Sequence, residues 1–136
     1  MTPTPLVPLK TSILIVEDEA SLRGALRDKF TREGFLVHEA KDGEAGLALA
    51  LLKQPELILL DMMMPKMDGI SMLHKLRVQN EWSKKVPVLI FTNMGGDEKT
   101  LLREVFKDEA AEYLVKSDWP INKLVQRVRE AIASTQ

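Results

Sequence analysis

The sequence predicts an α/β fold: five strand–helix units, (βα)5, in one doubly wound, five-stranded parallel sheet. Three observations predict it. Short, continuous apolar runs recur at ILIV (13–16), FLV (35–37), LILL (57–60), VLIF (88–91) and YLV (113–115), and unbroken hydrophobicity suits strands covered on both faces. Between these runs the apolar period lengthens to that of a helix. With 136 residues, 45% of them hydrophobic, the chain is the size of one domain with a substantial core.

Each unit follows in order. After ILIV, the residues Leu22, Leu26 and Phe30 recur every four positions, and Gly34 is placed to close that helix. FLV precedes a weaker stripe of Leu47 and Leu51. LILL precedes Gly69, which opens a third helix carrying Ile70 and Leu73, with Pro65 shaping the turn before it. VLIF precedes Leu101, Leu102, Val105 and Phe106, a fourth helix whose start suits the acids Asp97 and Glu98. YLV precedes Ile121, Leu124, Val125, Val128 and Ile132, which share one face of a fifth helix. A barrel needs eight units, so an open sheet with right-handed crossovers is expected.

Composition narrows the function classes. Nineteen basic residues against twenty acidic ones give a formal charge of -1, so no global field favours nucleic acid or an anionic membrane. With no cysteine there are no disulfides or thiolate metal sites, which is compatible with a cytoplasmic protein. No run approaches the roughly 18 to 20 apolar residues that cross a bilayer, so no membrane insertion is expected. The proline-rich start, MTPTPLVPLKTS, does not read as a signal peptide. Residues 1–11 are expected to form a mobile arm and residues 12–134 the functional domain. Only ASTQ follows Ile132; if this is the whole gene product, output is expected through binding by this one domain.

Open sheets of this kind bind ligands beyond the carboxyl ends of their strands. There the sequence places Glu17, Asp18 and Glu19 after the first strand, Asp61 after the third, Thr92 at the end of the fourth and Lys116 after the fifth. One polar residue capping a strand means little. The set means more, because two carboxylates about 5 Å apart repel by about 3 kcal/mol at an effective dielectric near 20. A divalent cation offsets that repulsion. An all-oxygen site with few protein ligands suits Mg²⁺ best, accepts Mn²⁺ and disfavours Zn²⁺. Lys116 adds a positive charge of the kind that holds a phosphoryl group.

These residues resemble the receiver domain of two-component response regulators, the CheY-like family. The resemblance runs from about Ser12 to Ile132 and rests on Glu17-Asp18, Asp61 followed by MMMPKMDG, Thr92, and YLVK ending in Lys116. It implies the flavodoxin/CheY-like strand order 2-1-3-4-5. It also implies that Asp61 is the phosphoacceptor for a sensor histidine kinase or histidine phosphotransfer protein. Asp18, Asp61 and the backbone carbonyl of Met63 would hold Mg²⁺, with Glu17 acting directly or through water. Lys116 and Thr92 would hold phosphoryl oxygens. Thr92 and Tyr113 would act as the switch, eased by Gly95 and Gly96. The face of the fourth helix, fifth strand and fifth helix would then engage an output protein or a second copy in a phosphorylation-linked homodimer. On this resemblance the chain is a phosphoacceptor that assists its own phosphorylation and dephosphorylation, rather than an enzyme.

Several positions depart from the family pattern. Ser117 follows Lys116 where proline is usual; a cis Lys116–Ser117 bond is expected, to keep Lys116 pointing into the site despite a cost of about 3 kcal/mol. Glu17 replaces the commoner aspartate, and Asn93 stands where small residues are favoured. In the family the positions of Met63 and Met94 flank the path of attacking water, so the resemblance leads to the expectation of a long-lived phosphoryl group. Met62, Met63, Met64 and Met67 read as packing residues, His38 and His74 lack metal-ligand spacing, and Trp82 and Trp119 read as structural.

Other functions fit less well. A haloacid-dehalogenase-like phosphatase needs a second aspartate where Met63 stands, and the phosphate-binding loop of P-loop NTPases is absent. A flavin protein of this sheet order has no need of three acids and a lysine. The runner-up is a phosphorylation-independent protein-binding module on the same fold.

Overall fold

In the computed structural model, which describes residues 10–64, 66–93 and 111–135, continuous hydrophobicity becomes strand as the sequence predicts. The elements are β1 (Ser12–Val16), α1 (Ala20–Arg32), β2 (Leu36–Ala40), α2 (Gly43–Lys53), β3 (Leu57–Leu60), α3 (Gly69–Arg77), α4 (Glu81–Lys85), β4 (Val88–Thr92), β5 (Ala111–Val115) and α5 (Ile121–Ala133). All strand pairs are parallel, in the order β2-β1-β3-β4-β5. Residues 1–9 of the arm, Pro65, Met94, Gly95, Gly96, Asp97, Glu98 and the stripe from Leu101 to Phe106 lie outside the described residues.

Why the runs are unbroken is now physical. Successive strand residues point to opposite faces, and helices cover both. Leu14, Val16, Ile58, Leu60, Val88, Ile90, Tyr113 and Val115 form one buried cluster with Met72, Leu73 and Leu76 of α3. Ile13, Ile15, Leu57, Leu59, Leu89, Phe91 and Leu114 form the other, with Leu26 and Phe30 of α1 and Leu124, Val125, Val128 and Ile132 of α5. Each such side chain contributes about 1.5–3 kcal/mol by leaving water.

Gly34 ends α1 as predicted, at φ +97°. Its N–H donates to Thr31 O at 3.1 Å, and the Phe35 N–H donates to Phe30 O at 3.0 Å. The Phe30 and Phe35 rings meet edge to face, 5.3 Å between centroids, completing a left-handed helix cap with its hydrophobic contact. That cap uses Phe35, so β2 starts one residue later than the FLV run. As an edge strand β2 is only half covered, and Leu36 is 49% exposed.

The short α4 carries no apolar stripe and the sequence patterning misses it. It forms because the Asn80 side chain accepts from the Ser83 N–H at 2.7 Å, while the Ser83 hydroxyl accepts from the Asn80 N–H at 2.9 Å.

The chain after β5 corrects an expectation. No cis peptide occurs among the described residues, so Lys116–Ser117 is trans. A 3-10 turn over Lys116–Asp118 redirects the chain, closed by Trp119 N–H to Lys116 O at 3.3 Å, and Pro120 precedes α5. The turn achieves the change of direction without the cost of a cis non-proline bond.

Candidate functional site

The parallel register aligns the carboxyl ends of β1, β3, β4 and β5 along one rim. Val16 stands opposite Leu60, and Thr92 opposite Val115, so the residues just beyond them are neighbours. Backbone ladders extend into the loops: Glu17 N–H donates to Ala40 O at 3.0 Å, and Asp61 N–H to Val16 O at 2.9 Å. These bonds fix the first acid of the β1–α1 loop and Asp61 as firmly as strand residues. The aliphatic LILL run is therefore an anchor for the carboxylate that follows it.

Gly69 sets the other wall. A Cβ there would lie 2.5 Å from Asp61 O and 2.9 Å from Met62 Cα, and the Gly69 N–H donates to Met62 O at 2.9 Å. Only glycine lets α3 begin directly beneath the peptide chain at the end of β3. Asp68 caps α3 by accepting from the Ser71 N–H at 2.8 Å.

The structure brings together most of the residues singled out in the sequence. Oxygens of Glu17, Asp18 and Asp61 lie within 4.8 Å of one another. Glu17 and Asp61 are buried, at 2% and 6% exposure, whereas Asp18 is exposed. Lys116 Nζ is 2.8 Å from Glu17 Oε1 and 3.8 Å from Asp61 Oδ1, and 5.9 Å from the centre of the Phe91 ring. A trans backbone thus delivers Lys116 to the site all the same. Thr92, at 1% exposure, and Met63, at 64%, complete a cleft of about 230 Å³ with Glu19 and Asn93. Tyr113 is buried against the α3 side of the sheet. Met94 lies outside the described residues.

Electrostatics distinguish Asp61 from an ordinary carboxylate. Its pKa is pushed up to about 7, first by burial and then by the facing charge of Glu17, with Lys116 pulling the other way. The Lys116 ammonium pairs with two of the three carboxylates and sits closer to Glu17 than to Asp61. The donor set is oxygen alone, without histidine or cysteine, which fits a hard divalent cation such as Mg²⁺ and not Zn²⁺.

Two supports have no signature in the sequence. Glu17 Oε2 accepts the Glu19 N–H at 3.1 Å, so both Glu17 oxygens are engaged by the chain itself. Arg23 of α1 donates from Nη1 to Glu17 O at 2.8 Å. An arginine one turn into a helix is commonplace; only the path of the β1–α1 loop brings it against that carbonyl.

Comparison with known proteins agrees with this geometry. The sequence model of the response regulator receiver domain matches residues 13–129. The transcriptional regulatory protein SrrA of Staphylococcus aureus is 38% identical over 128 residues, covering 94% of this chain and 50% of that protein. The chain thus spans about half the length of the curated relatives it matches. Among solved structures, the receiver domain of a Francisella response regulator superposes with a TM-score of 0.81 at 30% identity, covering 93% of this chain and 100% of the other. The chemotaxis protein CheY4 of Vibrio cholerae gives 0.80 at 27% identity, covering 90% and 99%. With the sheet order, the strand-end acids and the family match in agreement, the chain belongs to the response regulator receiver domains of two-component signalling.

Proposed function

We propose that residues 12–134 form a cytoplasmic phosphoacceptor domain in which Asp61 receives a phosphoryl group from a sensor histidine kinase or a histidine phosphotransfer protein. The observation that carries this is the cluster itself: Asp61, buried and fixed at the end of β3, within 4.8 Å of Glu17 and Asp18 oxygens and 3.8 Å from Lys116. In the transfer, an Oδ of Asp61 attacks phosphorus, the bond from phosphorus to the donor imidazole nitrogen breaks, and that nitrogen leaves with the electron pair and takes up a proton. The product is an acyl phosphate. Lys116 pairs with one phosphoryl oxygen and the Thr92 hydroxyl donates to another. Asp18, Asp61 and the Met63 carbonyl would hold Mg²⁺, with Glu17 acting directly or through water. When bound, the ion neutralises charge between the carboxylate and phosphoryl oxygens.

Signalling follows from a redistribution of contacts. Phosphorylation gives Lys116 a stronger partner than Glu17, draws Thr92 toward the phosphoryl group and biases Tyr113. The face that includes β5 and α5 then changes its affinity for an output protein or a second copy. Moving a population from 1:99 to 99:1 takes about 5.5 kcal/mol of differential stabilisation, within reach of a few charge-assisted contacts. The exposed Met63 gives attacking water no hydrogen-bond partner, which favours a long-lived acyl phosphate. Decay in Met63→Asn combined with Met94→Glu is expected to be several-fold faster than in wild type; equal rates would remove that part.

The central test is intact mass after incubation with Mg²⁺ and acetyl phosphate. Wild type is expected to gain one phosphoryl group and Asp61→Asn none. An equal gain in both proteins would overturn the assignment, and absence of gain in wild type with Mg²⁺ bound would favour a phosphorylation-independent binding module.

A further inference from the structure

The β1–α1 loop has to aim two carboxylates at one point, yet packing fixes only one of them. Glu17 is 2% exposed, while Asp18 stands in solvent. The direction of the Asp18 side chain is therefore set by its backbone. That backbone is tied from outside the cleft by Arg23, whose Nη1 donates to Glu17 O at 2.8 Å and lies 3.5 Å from Asp18 O. Arg23 is itself steadied from β2: its Nε is 3.6 Å from Glu39 Oε1, with side chains 21% and 29% exposed.

We infer that Arg23 is a positioning residue for the acidic site, its guanidinium spanning the carbonyls of Glu17 and Asp18 and so fixing the peptide groups that aim both carboxylates. This rests on the proposal that the Glu17, Asp18 and Asp61 cluster takes up Mg²⁺. One guanidinium nitrogen, Nη1, meets both carbonyls while Nε faces Glu39, so the rigid plane is held from two sides; a lysine ammonium at the end of a flexible stem has no second nitrogen to be held by. Nothing about the role requires Arg23 to touch the metal or the phosphoryl group.

The sign of the effect separates this role from simple electrostatics. Arg23 is a cation beside a cation site, so its charge alone opposes Mg²⁺ uptake, and neutralising it would tighten binding. Loss of positioning would weaken binding instead. Arg27 provides the control. It lies one turn further along α1 and pairs with the same Glu39 oxygen at 3.5 Å, and with Asp28 at 3.1 Å, on the exposed face of the helix.

The experiment measures the Mg²⁺ dissociation constant by titration calorimetry on the whole chain at fixed ionic strength, with the melting midpoint in EDTA recorded for each protein. Arg23→Met is expected to weaken Mg²⁺ binding about tenfold, in the range seen when groups that orient metal ligands are removed. Arg23→Lys is expected to fall between Arg23→Met and wild type, and Arg27→Met to bind as tightly as wild type or more so. Should Arg23→Met bind like Arg27→Met, the positioning role is overturned. If Arg23→Met fails to fold, Arg23→Lys decides alone, and unchanged affinity there overturns the role equally. No Mg²⁺ uptake by wild type would instead overturn the metal site on which the inference stands.

Discussion

The two rims of the sheet treat buried charge in opposite ways. At the carboxyl rim, Glu17, Asp18 and Asp61 crowd together, Lys116 pairs with Glu17 and Asp61, and the Asp61 pKa is pushed up to about 7. At the opposite rim, the buried Arg77 at the end of α3 donates to Ser83 O at 3.0 Å and to Val86 O at 2.6 Å, clamping α4 and the approach to β4. A groove lined by Trp82, Pro55 and Pro87 opens beside it. One rim gathers like charges at a cost; at the other, a buried cation reaches backbone carbonyls. A buried charge met by acceptors holds the fold together, whereas like charges held in contact mark a candidate functional site.

Variants at both rims put that contrast to the test. The largest effect on stability is expected at the quiet rim: Arg77→Met should cost about 2–4 kcal/mol, because it leaves buried carbonyls without donors. Its Mg²⁺ affinity should not move. Urea unfolding checks the first point and calorimetry the second; a loss below about 0.5 kcal/mol would erase the distinction between the rims.

Next in size is the response to cation. Mg²⁺ at about 100 times its dissociation constant should add about 2.7 kcal/mol to wild type, and as much to Arg77→Met. Asp61→Asn should gain far less. An equal shift in melting midpoint for all three would mean that the ion binds elsewhere.

The smallest effect has the opposite sign from most core substitutions. In EDTA above pH 7, Asp61→Asn should be more stable than wild type by about 1–2 kcal/mol, since it removes a buried, repelled charge. Because Asp61 has a folded pKa raised from 3.8 to about 7, its contribution to wild-type stability falls as pH rises between those values. The gap between the two proteins should therefore close as pH is lowered from 7 toward 4. Equal stability at pH 8 would show that the acids are not in conflict.

Much of this was legible in the chain. LILL needed only its unbroken hydrophobicity to become β3 at residues 57–60, and the stripe from Leu124 to Ile132 needed only its period to become the buried face of α5. Gly34 and Gly69 marked helix boundaries because each occupies a place closed to a side chain, one by its φ and one by its neighbours. Asp61, Thr92 and Lys116 were placed by where their strands end. The α4 turn was missed because a capping pair leaves no periodicity. The cis Lys116–Ser117 expectation failed because the demand was on the side chain of Lys116, and a 3-10 turn with a long side chain meets it from a trans backbone.

What the sequence determined by itself was therefore local: strands and helices from periodicity, and the chemical types delivered to one rim. Which of those types would touch was decided by the tertiary structure. Lys116 lies against Glu17, Arg23 grips the loop carrying Glu17 and Asp18, and Arg77 closes α4, each through contacts set by sheet order and loop path. Periodicity depends on neighbours a few residues away, whereas a charge finds its partner through distances that exist only once the sheet has formed.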